Sequence, residues 1–126
     1  MPLIKNALFV MMGGSLGSLA RYLISVLIPY DTRSPFPYRT LIVNLVGSFL
    51  IGFVVSRFQQ HIFSHTIRLL IVVGFLGAFT TFSTLSYDTI RLLNSGHVRT
   101  ALLNLAITIT GGLIAVLAGL WLGKSH

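Results

Sequence analysis

The sequence predicts an all-α membrane protein of four transmembrane helices, with the third helix broken near its middle. Three observations carry that expectation. Only 9% of the 126 residues are charged, against about 25% in an ordinary soluble domain, while 54% are hydrophobic and the mean hydropathy is +0.87. Charge-free runs recur four times: 15 residues from Asn6 to Ala20, 17 from Thr40 to Ser56, 19 from Leu69 to Tyr87 and 24 from Thr100 to Gly123. A helix crossing the hydrocarbon needs about 20 mostly apolar residues. Finally, the third run holds Gly77 and then four hydroxyls in five positions, Thr80, Thr81, Ser83 and Thr84. Such groups are costly at membrane depth unless they face protein, water or an ion.

Taken in order, the spans are expected at about 6–29, 40–58, 68–90 and 99–123. The first begins after Lys5 and loosely resembles a secretory signal ending at Ser18-Leu19-Ala20. Arg21 follows at once and apolar sequence resumes to Ile28, so an uncleaved helix is expected. A loop with Pro29, Pro35 and Pro37 leads to the second span, and a loop from Gln59 to Thr66 leads to the third. Asn94-Ser95-Gly96 reads as a short turn into the fourth. Residues 1–126 make one transmembrane domain, with no room for a soluble one.

Nine bases against two acids give a net charge of +7. The bases stand singly between apolar runs, which fits headgroup contacts rather than nucleic acid. With four spans, Lys5, Arg57, Arg68 and Lys124 share one side, and Arg33, Arg39, Arg91 and Arg99 the other. Orientation follows Lys/Arg asymmetry, and four against four gives none. Insertion in both orientations is the expectation, and with it an antiparallel, dual-topology homodimer, a one-gene version of the inverted repeats of larger transporters. Small residues at helical spacing mark close contacts, within the chain or between copies: Gly13 with Gly17, Ser48 with Gly52, Gly111 with Ala115, and Ala115 with Gly119.

Polar residues within the spans are the candidate site. Arg21 either snorkels to the first loop or stands at the mouth of an anion vestibule. Asn44 and Ser48 share one helical face, as do Asn104 and Thr108. Interhelical hydrogen bonding is the expectation for Asn104; Asn44 reads as a pore-lining donor on the strength of the resemblance given below. Phe75, Phe79 and Phe82 fall at i, i+4, i+7, a spacing more often used for packing, although a ring edge can face an anion. Neither acid is central in a span: Asp31 lies in a loop and Asp88 at the end of the third helix. A proton-coupled exporter generally needs an intramembrane relay, so a dual-topology small-molecule exporter is the weaker alternative. His61 and His65 are i, i+4 but lack supporting acids or Cys, which favours plain interfacial residues over a metal site. No nucleophile–base set is visible, so an enzyme is not expected.

The motifs resemble the Fluc/CrcB family of fluoride channels over nearly the whole chain. The residues are Gly13-Gly14-Ser15-Leu16-Gly17 with Arg21-Tyr22, then Thr40-Leu41-Ile42-Val43-Asn44 with Gly47-Ser48-Phe49 and Gly52. The third and most specific set is Gly74-Phe75-Leu76-Gly77 with Thr80-Thr81-Phe82-Ser83-Thr84. The resemblance implies a passive fluoride channel of the cell inner (plasma) membrane, working as an antiparallel dimer with two pores. It also implies a structural Na⁺ held by the backbone carbonyls of Gly77 and Thr80. The fluoride path would run by Asn44, Phe82, Ser83, Thr84, the position of Leu85, and Thr108, with Arg21 in the vestibule. This chain departs from the pattern with Leu85 where a second pore Phe is common, Ala78 where a second Gly is usual, and Gly112 and Val116 where hydroxyls often continue the fourth-helix track.

Overall fold

The computed structural model describes residues 1–60 and 63–124. Helix α1 spans Pro2–Leu27 and α2 Tyr38–Gln60. Helix α3 covers residues 65–79, α4 Phe82–Asn94 and α5 Val98–Lys124. Four helical spans among the described residues are long and apolar enough to cross a membrane, the third being His65–Asn94, which contains α3 and α4.

The helices pair out of chain order. Helix α1 lies along α3 and α2 along α5, whereas the consecutive α1 and α2 touch sparingly. Glycines set these pairings. A Cβ at Gly13 would overlap the Leu70 carbonyl and one at Gly17 the Phe75 carbonyl, so α1 meets α3 backbone to backbone. Gly52 against Val116 O and Gly119 against Phe49 O do the same between α2 and α5. Without a hydrophobic drive between helices in lipid, such approaches let dispersion hold the bundle. The small-residue pairs containing Gly13, Gly17, Gly52 and Gly119 thus make contacts within the chain.

Helix α3 starts at Ser64, whose hydroxyl accepts from Ile67 N–H. It loosens over Leu69–Leu76 into π-type winding that ends with Gly77 N–H bonding to Val72 O, five residues back. Such windings are rare and often found at functional sites. Gly77 is itself helical (φ −62°, ψ −37°). The extended residues are Thr80 (φ −80°, ψ 157°) and Thr81 (φ −149°, ψ 114°), after which Phe82 begins α4. Gly96 ends α4 with φ +79°, and His97 N–H to Leu92 O (2.8 Å) with Gly96 N–H to Leu93 O (3.0 Å) makes a Schellman motif.

The apolar core of the single chain is small: Val43, Leu76, Phe79 and Leu85 are buried on the elements flanking the extended pair, and Leu92 and Ala101 toward the α4–α5 turn. Along α1 and α5 large apolar side chains such as Leu16, Leu113, Leu117 and Trp121 stand exposed. Apolar outer faces are what a bilayer requires of a spanning bundle.

Candidate functional site

The site is built around Thr81. Its N–H donates to Asn44 Oδ1 at 2.8 Å, and its carbonyl accepts from Asn44 Nδ2 at 3.1 Å. One α2 amide therefore does for Thr81 what a neighbouring peptide would do, and holds it extended. Thr81 also caps α4, its hydroxyl accepting from Thr84 N–H at 3.2 Å. The same hydroxyl lies 3.0 Å from Thr84 Oγ1 and 3.3 Å from Ser83 Oγ.

These bonds release carbonyls. In a continuous helix Thr81 N–H would bond to Gly77 O, and Thr84 N–H to Thr80 O. Both donors go instead to side-chain oxygens. Gly77 O and Thr80 O thus lose their i+4 partners, and hard carbonyl oxygens of this kind suit an alkali or alkaline-earth cation. These two carbonyls are the ones that the resemblance implies as Na⁺ ligands. Arg21 Nη1 approaches Thr80 O at 3.5 Å, a long hydrogen bond that brings a guanidinium to the same carbonyl.

Two cavities meet at Thr81. A vestibule of about 890 Å³ reaches it from the Pro-rich loop and is lined by Arg21, Thr84, Asp88 and Arg91 among others. A groove of about 420 Å³ runs along α2 and α5 on its other side. The groove gathers Asn44, Gly77, Thr80, Phe82, Leu85 and Thr108. Arg21 and Thr84 line the vestibule, and Thr81 is common to both. Ser83 alone of the sequence candidates lines neither, although it is exposed beside Thr81.

The aromatic stripe does not hold as one face. Phe75 and Phe79 stack in α3, with centroids 5.9 Å apart and planes 10° apart. Phe82 lies beyond the two extended residues, which interrupt the helical phase, and is 79% exposed along the groove. Leu85 is buried in the groove wall. The Asn104 amide donates to Thr89 Oγ1 at 3.1 Å, the interhelical bond expected of it. Asn104 Oδ1 and Thr108 Oγ1, one turn apart and buried, have no hydrogen-bond partner among the described residues.

Sequence reasoning missed two participants. Asp88 is buried in the vestibule wall, six residues before α4 ends, so it is not the terminal residue the charge-free run suggested. Thr40 donates to its Oδ2 at 2.7 Å, and Arg91 Nη2 lies 3.5 Å from Oδ1. An acid three residues before Arg91, one helical turn on the same face, was the available signal. Thr81 was seen only as one of four hydroxyls, although a Thr opening an amphipathic segment is a helix cap signature. His61, paired with His65 in the sequence, lies outside the described residues.

A mainly apolar groove with a few polar groups, Asn44, Ser48, Thr80, Thr81 and Thr108, meets a vestibule with an excess of arginines at an extended residue inside a four-span bundle. Such polar groups at membrane depth mark a path for a small polar solute. The family described as "CrcB-like protein, Camphor Resistance (CrcB)" matches residues 8–120. The chain belongs to this family. It is 46% identical over 105 residues to a protein of Shewanella woodyi, covering 83% of this chain and 85% of the relative. It is 43% identical over 121 residues to one of Chlorobaculum tepidum, covering 95% of both. A third, from Bacteroides fragilis, is 41% identical over 123 residues, covering 95% and 97%. All three bear the name fluoride-specific ion channel FluC.

Proposed function

We propose that this chain is a passive fluoride-selective anion channel of the cell inner membrane, which lets cytoplasmic fluoride leave and so lowers its toxicity. The names of its relatives support the choice of ion. The observation that carries the reading is the junction at Thr81, where a cationic vestibule and a groove with unengaged donors touch through one residue. Fluoride holds its water tightly, so a narrow path must replace that shell with donors and can exclude larger chloride by size and donor geometry. Asn44 has a second Nδ2 hydrogen beyond the one bonded to Thr81 O. Thr108 has a hydroxyl without a partner among the described residues. Phe82 offers the positive edge of an exposed ring. Arg21 draws anions to the mouth.

The working unit is an antiparallel homodimer of oppositely inserted chains. Balanced Lys/Arg counts support dual insertion, and the single chain leaves Phe82 and the groove open for a second copy to cover. Gly77 O and Thr80 O of each copy would hold a structural Na⁺ on the twofold axis, where a fixed positive charge steadies the broken span.

A small-molecule exporter would look to Asp88 as its relay. That carboxylate already accepts from Thr40 and neighbours Arg91, an arrangement suited to holding a charge in place. Fluoride efflux from liposomes reconstituted with the purified protein separates the two. Channel activity appears as electrogenic efflux that persists when the proton gradient is collapsed at fixed voltage. Electroneutral or proton-dependent efflux would replace the channel by a transporter, with Asp88→Asn the first variant to examine.

A further inference from the structure

The vestibule is much larger than a single halide ion requires, and its walls are aromatic. Tyr22, Tyr30, Tyr38, Tyr87 and Phe36 line it together with Arg21, Arg39 and Arg91. At about 890 Å³ it falls within the ~300–1,000 Å³ typical of small-molecule sites, which are mostly apolar with a few placed polar groups. We propose that the vestibule binds a small aromatic monoanion, an aryl carboxylate, which seats its ring among the tyrosines and blocks the mouth.

The charge of the ligand follows from the groups that face the cavity. Three arginines stand against two aspartates, Asp31 and Asp88, which leaves one net positive charge. Asp31 Oδ1 accepts from Arg33 N–H at 2.8 Å, and Asp88 is held by Thr40 and Arg91. Two guanidiniums keep donors in reserve. Among the described residues, Arg21 makes only the long bond to Thr80 O, and Arg39 bonds through Nε to Ile28 O at 2.9 Å, which leaves its Nη fork open. A guanidinium fork matches a carboxylate with two parallel hydrogen bonds. Arg39 also stands over the Tyr30 ring at 5.6 Å, so the cation and an aromatic face are already in place together. Phe36 and Tyr38, with centroids 4.8 Å apart and planes 46° apart, give a second aromatic wall.

Binding is measured calorimetrically on the purified full-length protein with 2-naphthoate as probe and with 2-naphthamide and acetate as comparisons. The expected result is one site per chain for 2-naphthoate, with the neutral amide and the ringless acetate each at least tenfold weaker. Arg39→Gln should weaken 2-naphthoate at least tenfold. Tyr22→Leu, on an exposed side chain with little bearing on folding, should weaken it severalfold. In liposomes 2-naphthoate should slow fluoride efflux with the same order of potency. Equal affinity for the amide, or unchanged affinity in both variants, would overturn the site, and saturating 2-naphthoate that leaves efflux untouched would overturn the block. The blocking half rests on the channel reading, but the calorimetry does not. Absent binding beside normal fluoride efflux sinks only the vestibule site, whereas specific binding beside no efflux in the unliganded protein supports the site and sinks the channel.

Discussion

Asn44→Ala removes both bonds that hold Thr81 extended. Thr81 is buried, so its N–H and C=O lose their partner with little access to water. Leaving a buried polar group unsatisfied costs about 1–3 kcal/mol. For two groups, partly relieved when the chain relaxes toward helix, about 3 kcal/mol is a fair central figure. At about 1.4 kcal/mol per tenfold, that shifts the balance between extended and collapsed geometries by roughly a hundredfold. Fluoride efflux per reconstituted protein should fall by that factor, less whatever preference for the extended form wild type holds in reserve. The assay is initial efflux from voltage-clamped liposomes, with dimer assembly checked by crosslinking. Asn44→Asp is the informative companion. It can still accept from Thr81 N–H but sets a carboxylate oxygen against Thr81 O and a negative charge beside the path, so it should lose at least as much flux. Near-normal efflux in Asn44→Ala would refute the reasoning, because Thr81 would then hold its shape unaided. A severe loss in Asp beside a mild one in Ala would mean that the amide acts on the ion alone.

Phe82→Ile should reduce fluoride efflux at least tenfold with folding and oligomeric state unchanged, since it exchanges a positive ring edge for an apolar wall at an exposed groove position; unchanged efflux would make the ring a packing element. Gly17→Ala should destabilise the bundle by more than about 2 kcal/mol in a denaturation series, because its Cβ meets the Phe75 carbonyl. Gly14→Ala, whose nearest neighbour lies at 3.9 Å, should be nearly neutral. Thr80→Ala should leave Na⁺-dependent stability intact, since a backbone oxygen is the proposed ligand; loss of the Na⁺ response would assign the ion to the hydroxyl. A Ser125→Cys variant in sealed vesicles should label from both sides, and one-sided labelling would end the dual-topology proposal.

Much of this molecule could be read from its residues because lipid imposes simple rules. Charge-free runs located the four spans, and Gly13, Gly17, Gly52 and Gly119 announced contacts that only a missing side chain permits. Asn44, Phe82 and Thr108 converge on one groove, although nothing in their local spacing says so; their types at membrane depth were the signal. What could not be read was where the backbone departs from helix. Gly77 attracts attention by its composition, yet it is helical, and the extended residues are two threonines held by a side chain 37 positions away. Local propensity cannot register a bond of that reach. The i, i+4, i+7 spacing of the phenylalanines failed for the same reason, since periodicity presumes an unbroken helix. Asp88 was misplaced because its stabilisation comes from Thr40, 48 positions away in the preceding span.

The interleaved pairing of helices has a consequence for biosynthesis. Helix α1 finds its close partner only when α3 emerges, and α2 only when α5 does. The first two spans must therefore enter the bilayer as independent helices, each facing lipid with a glycine-cut surface that nothing yet fills. No hairpin of neighbouring spans can lock early, and the Asn44 clamp cannot close before Thr81 has been made. Orientation is thus fixed while the chain has no tertiary structure to prefer one answer. A chain released before its last span would strand α2 with its Gly52 surface open.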